Sequence, residues 1–380
     1  MPAALRRRLD YSGPPLFSYG FRPFFLGGAL WAALAVVLWL PQYFGEMGLP
    51  TAFGALDWHI HEMIYGYLAA VITGFLLTAI PNWTGRLPIN GYPLATLFGL
   101  WLAGRIAIVG SAIWGLWLAA AIDVAFLVLL AAAAARELIA GNVVFHAEVI
   151  AYGAADYGIR LGIAAIVVLI SLIGGRIVPS FTHNWLARSN PGRMPQSFSR
   201  FDTVAVAGTA LALAAWIVLP QSSVSGALLM IAGVLQAVRL IRWAGDRTAA
   251  DRLVLVLHVA YAFVPLGLLL AGAAISWPAA WPISAGLHAW MSGAAGLMTL
   301  AVMTRASLAH TGNKLIATIS TELIYLCALT AALTRIAAAF APSSALLHTA
   351  AAAWVLAFGG FALVYGPLLV GRAPVWAGRS

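Results

Sequence analysis

The stretch FDTVAVAGTALALAAWIVL at 201–219, followed after a short turn around Gln221 by a second apolar run over 224–243, decides the fold. Each run approaches the roughly 20 apolar residues that a helix needs to cross the hydrocarbon core of a bilayer. Arg200 precedes the first run, Arg239, Arg242 and Arg247 close the second, and the turn between them holds no Lys or Arg. Cytoplasmic loops are the ones enriched in these cations. The pair therefore reads as a hairpin that leaves the cytoplasmic side and returns to it.

The same pattern extends outward in both directions. Apolar runs near 22–40, 57–80, 93–110, 113–135, 137–153, 157–179, 201–219, 224–243, 253–275, 283–304, 315–340 and 345–369 predict twelve spans. With the N-terminus cytoplasmic, the inward segments hold Arg6, Arg7, Arg8, Arg22, Arg86, Arg136, Arg176, Arg188, Arg193, Arg200, Arg239, Arg242, Arg247, Arg252, Arg305, Lys314, Arg372 and Arg379, which is 18 of the 21 basic residues. The outward connections around Gly45, Ser111, Asp156, Gln221, Pro278 and Pro342 hold none. An odd number of spans would scramble this alternation. The expectation is an all-α polytopic membrane protein with about twelve transmembrane helices and both termini cytoplasmic. It forms one transmembrane domain, with the long inward loop near 180–200 as a dividing point between two sets of six.

Composition agrees, because 62% apolar and 9% charged residues leave too little polar surface to solvate a globule of 380 residues. The net charge of +9 reads as an orientation signal and an attraction to anionic membrane lipid, not as a nucleic-acid footprint. The first run follows three arginines but is of span length without a small-residue cleavage pattern, so it reads as a retained helix. Cys327 is alone, which excludes an intramolecular disulfide and thiolate clusters. Trp39, Trp83, Trp243, Trp277 and Trp281 lie at span ends, where interface anchors are expected.

Ionisable residues inside spans carry a penalty of a few kcal/mol at the bilayer centre unless they are paired or ligated, and they mark functional sites. Arg105, Arg160 and Arg335 fall in the outer halves of the third, sixth and eleventh spans. Asp123, Glu148 and Glu322 are expected as buried acids and as candidates for proton handling. Histidine is the richer signal, with His59, His61, His288 and His348 toward the outer side, and His258 and His310 toward the inner side. His146 lies in the fifth span, two residues before Glu148, and His183 in the long inner loop. His59 and His61 are separated by about 200° on an α-helix, so they serve different centres unless the first turn is distorted. Neutral imidazole suits iron, copper and zinc, and arginines inside a membrane offer bidentate partners for haem propionates.

Several motifs then carry a resemblance. They are Phe21-Arg22-Pro23-Phe24-Phe25, Trp58-His59-Ile60-His61-Glu62-Met63, Gly74 to Gly85, Gly174 to Thr182, Leu257-His258-Val259-Ala260-Tyr261, Leu287-His288-Ala289 and Val302 to Gly312. In order from the first to the tenth span, this set resembles the NnrS family of bacterial inner-membrane proteins. The resemblance implies twelve spans, haem (b-type) and copper, and a part in denitrification and nitrosative stress. It singles out His59, His61, His258, His288 and His310 as metal ligands, with Arg105 and Arg176 as further motif positions beside Arg160 and Arg335 for cofactor binding. Ala309 and Asn313 depart from the Gly and Arg expected around the His310-Thr311-Gly312 element. The function implied is binding of nitric oxide and its reduction to nitrous oxide, with Glu62, Asp123 and Glu148 as acids and with a quinol or a periplasmic carrier as electron donor. A transporter or handler of haem, copper or another metal species uses the same histidines as transient ligands and is the alternative. A sensor or assembly partner is the third reading.

Overall fold

The computed structural model describes residues 11–84, 87–131, 143–149, 151 and 156–371, with the side chains of 82–84 and 127–131 left aside. The predicted loop cations Arg6, Arg7, Arg8, Arg86, Arg136, Arg372 and Arg379, the end of the Gly74–Gly85 motif, the Trp83 side chain and parts of the fourth and fifth predicted spans lie outside the described residues. Among the described residues the following helical elements carry the fold. They are α1 (Phe21–Tyr43), α2 (Ala55–His61, Glu62–Leu68 and Ala69–Thr84), α3 (Tyr92–Val109), α4 (Leu116–Ala131), α5 (143–149) and α6 (Asp156–Leu169, Ile170–Gly174 and Gly175–Ser189). The chain continues through α7 (Arg200–Val218), α8 (Ser223–Ile241), α9 (Arg252–Ser276), α10 (Ile283–His288, Ala289–Gly296 and Leu297–His310), α11 (Ile319–Phe340) and α12 (Ser344–Val370). Among the described residues there is no strand, and ten helices are long and apolar enough to cross a membrane; α4 and α5 are the shorter two. The protein is an all-α, multi-pass membrane protein.

The middle segments of α2, α6 and α10 are π-helical. A π-segment adds a residue to the turn and re-aims the side chains around it, which is why such segments concentrate at functional sites.

By packing, the chain forms two units. The first comprises Met1–Ile159, Met303–Leu315 and Phe358–Ser380. In it α1 packs on α2 and α3 on α4. Gly74 permits the first contact, since a Cβ there would stand 2.9 Å from the Phe25 ring and 3.0 Å from Phe24 Cβ. Arg22, predicted as a loop cation, is buried and donates to the Leu369 and Gly371 carbonyls at 2.9 and 2.7 Å, satisfying the open C-terminal end of α12.

The second unit comprises Arg160–Val302 and Ile316–Ala357. Its axis is the pair α8 and α9, which meet through small residues: a Cβ on Gly226 would stand 3.1 Å from the Gly272 carbonyl, and one on Gly272 would stand 2.7 Å from the Gly226 carbonyl. Lipid chains are as apolar as leucine, so helices associate in a bilayer by this close fit and by shared hydrogen bonds. The hydrogen bonds centre on Arg239, which is fully buried and not the loop cation expected. Its Nε donates to Asp202 Oδ1 at 3.0 Å, and Nη1 donates to the Ser171 carbonyl at 2.8 Å and to the Tyr261 hydroxyl at 3.0 Å. Tyr261 donates to Gln236, and Gln236 donates to Thr209. Trp243 stacks into this network beside Arg239 and Tyr261, and Trp39 is equally buried, so neither is an interface anchor; Trp277 and Trp281 are exposed as anchors should be. Glu322 is half exposed and faces Arg252 at 3.8 Å, so it is not the buried acid expected; its place in the first turn of α11 puts it at the end of the helix.

Removing one partner of a buried ion pair costs about 3–5 kcal/mol, because the other charge is left without compensation. Asp202→Ala is therefore expected to lower the thermal unfolding midpoint in detergent sharply, while the exposed pair partner Asp246→Ala leaves it nearly unchanged.

Candidate metal centre

The site lies in the first unit and draws on five helices. α1 supplies Trp31, α2 supplies His61, Glu62 and Tyr65, α3 supplies Arg105, α4 supplies Asp123 and α5 supplies His146. His61, Glu62, Tyr65, Arg105 and Asp123 are essentially closed to solvent, and Trp31 and His146 are buried with slight exposure. His61 ends the regular α-helical segment Ala55–His61 of α2 and Glu62 opens its π-segment, so these adjacent side chains can address the same polar core.

Arg105 is the hub. Its Nη1 donates to Glu62 Oε2 at 2.6 Å, and its Nη2 donates to Asp123 Oδ1. Trp31 Nε1 donates to the same Glu62 oxygen at 2.6 Å. The other Glu62 oxygen lies 3.0 Å from His61 Nδ1, which assigns the imidazole proton to Nδ1 and leaves the Nε2 lone pair directed inward. That lone pair meets Asp123 Oδ2 at 3.2 Å and His146 Nε2 at 3.2 Å, and His146 Nε2 lies 3.3 Å from Asp123 Oδ2. Three acceptor-type atoms thus form a nearly equilateral triangle. A single proton on His146 relieves only one edge, and the buried charges of Arg105, Glu62 and Asp123 sum to one excess negative.

The dimensions suit a bound ion. With metal–ligand bonds of about 2.0–2.1 Å, donors in a tetrahedron lie about 3.3 Å apart, and those on one face of an octahedron about 3.0 Å apart. The 3.2 Å between the two imidazole nitrogens is too short for them to serve as opposed ligands of one haem iron, which would stand about 4 Å apart. Phe53, Phe145 and Tyr65 wall the triangle: Phe145 stands 5.2 Å from the His61 ring and Phe53 5.8 Å from the His146 ring, centroid to centroid. Gly66 is required for close packing, because a Cβ there would stand 2.6 Å from Glu62 Oε2, 2.8 Å from Arg105 Nη1 and 2.9 Å from Trp31 Nε1.

The other predicted residues are placed differently. His59 points away from His61 and stacks on Trp39 with ring centroids 4.0 Å apart. Glu148 accepts from the Tyr157 and Gly158 backbone N–H groups at 2.9 and 2.7 Å, so it caps the start of α6. His310 packs between the Tyr19 and Phe21 rings. In the second unit, His258 Nε2 lies 2.8 Å from Thr182 Oγ1, and His288 Nδ1 donates to the Ser284 carbonyl on its own helix at 2.6 Å. Arg160 and Arg335 are half buried and Arg176 is exposed. Of the four arginines proposed for a cofactor, Arg105 alone belongs to this group, and its partners are carboxylates of the chain itself. His146 and Trp31 are the members that sequence reasoning left out of the site. His146 was visible as an intramembrane histidine, but nothing in its spacing linked it to His61.

Fold and site together define a multi-pass membrane protein with a buried His–Asp–His group whose donor atoms are of metal-ligand type. The sequence matches the family model described as NnrS protein over residues 15–372, nearly the whole chain, and the protein belongs to the NnrS family. No curated protein matches it.

Gly66→Ala is expected to force Glu62 and Arg105 apart and to weaken metal retention at least tenfold with the helical content preserved. Equilibrium dialysis against a chelator, with circular dichroism on the same sample, checks this.

Proposed function

We propose that this protein binds nitric oxide at a metal ion in the bacterial inner membrane and reduces it, with His61, Asp123 and His146 as the ligands. The observation that carries the reading is the convergence of three donor atoms, 3.2–3.3 Å apart, in a buried envelope where the carboxylates of Glu62 and Asp123 face the Arg105 guanidinium. Membership of the NnrS family supplies the link to nitric oxide.

Copper, which the family resemblance implies, fits this donor set of two imidazoles and a carboxylate. The three converging donors do not offer haem a pair of opposed axial ligands. The bound ion supplies an open position for nitric oxide and a route for electrons. The overall reaction, 2 NO + 2 H⁺ + 2 e⁻ → N₂O + H₂O, takes its electrons from a quinol or a periplasmic carrier.

The chain's own contribution is positional and electrostatic. Glu62 fixes the His61 tautomer, Arg105 holds both carboxylates, and the guanidinium stands ready to offset negative charge that develops on the joined nitrogen–oxygen species. Phe53, Phe145 and Tyr65 exclude water, which strengthens every one of these interactions. A carrier of metal species would be favoured by spans that unwind within the bilayer. The described segments of α2, α6 and α10 stay helical through their π-turns, which favours a fixed metal site.

The test is metal quantitation and nitric oxide-induced optical change on purified variants. His146→Ala is expected to lose the metal and at least nine-tenths of the optical response, while His59→Ala retains both. Full metal content and response in His146→Ala would exclude this site.

A further inference from the structure

We propose that the ion at His61, Asp123 and His146 is a non-haem iron(II), held by three donors on one face, with the opposite face left for nitric oxide. This rests on the metal reading above and goes further by naming the ion and its coordination.

Three observations carry it. The first is the donor set. Two imidazole nitrogens and one carboxylate oxygen, with open positions remaining, are the set that non-haem iron(II) sites use, whereas copper(I) favours thiolate or thioether donors. Cys327, the lone thiol of the chain, is on α11 and outside this group.

The second is the way Asp123 is held. Arg105 engages Oδ1, so only Oδ2 faces the two imidazoles, and the carboxylate is limited to one bond to the ion. A carboxylate that could swing to a two-oxygen grip would fill a further position. The Arg105 hydrogen bond keeps that position open.

The third is the regular triangle. Edges of 3.2, 3.2 and 3.3 Å leave a point on the triangle's axis that is equidistant from these three donors, with all three on one side of it. Glu62 at His61 Nδ1 locks one corner and Arg105 locks another, so outer hydrogen bonds hold this geometry before any ion enters.

The experiment uses the full-length protein in lipid nanodiscs, stripped by chelator and loaded anaerobically with iron(II) alone, then exposed to nitric oxide. The expected result is one iron per chain beyond any haem iron and a quartet-spin electron paramagnetic resonance signal of the non-haem iron–nitric oxide adduct. Asp123→Asn and His146→Gln keep side-chain volume and are expected to abolish that signal, with folding checked by thermal melting. Glu62→Gln is expected to retain the signal with iron affinity lowered 10- to 100-fold. If the stripped chain instead takes copper(II), with hyperfine coupling to two imidazole nitrogens, and excludes iron(II), the iron assignment is overturned and the metal reading of the site stands. If no metal binding responds to Asp123→Asn or His146→Gln, both are overturned.

Discussion

Arg105, fully buried and bonded at once to Glu62 and Asp123, is the interaction on which the site depends. A guanidinium at that depth would be prohibitive alone. Flanked by two carboxylates it becomes a fixed scaffold, and the same two carboxylates present His61 and Oδ2 of Asp123 toward His146. The structural requirement to bury an arginine and the chemical capacity to hold an ion are thus one arrangement.

The surrounding fold serves that arrangement. The π-segment of α2 lets neighbouring His61 and Glu62 join one core, Gly66 leaves room for Arg105 and Trp31 to reach Glu62, and Trp101 closes over the Gly66 carbonyl at 3.0 Å. Aromatic walls from Phe53, Phe145 and Tyr65 complete the enclosure. In the second unit the Asp202–Arg239–Tyr261–Gln236 network applies the same rule, with a buried cation supported by every neighbouring helix.

Hydropathy and charge asymmetry made the helices legible, because span length and the placement of arginines are written locally in the sequence. The 200° separation of His59 and His61 was equally legible, and it holds: His59 stacks on Trp39 while His61 turns inward. The partners of His61 were not legible. Asp123 and His146 lie on other helices, and nothing in spacing along the chain reports which helices become neighbours. Arg22 and Arg239 misled for a related reason, since at helix ends a buried structural cation and a loop cation have the same sequence signature. Glu148 could be read as an acid in a span, but its role as a cap depends on where α6 begins.

The most direct test of the central claim is X-ray absorption at the edge of the bound metal, comparing the intact protein with His146→Gln. The account predicts a first shell of nitrogen and oxygen at about 2.0–2.2 Å, with the multiple scattering of two imidazoles, reduced to one imidazole or to no metal in the variant. A shell that contains sulfur, or one that is identical in the two proteins, would contradict it.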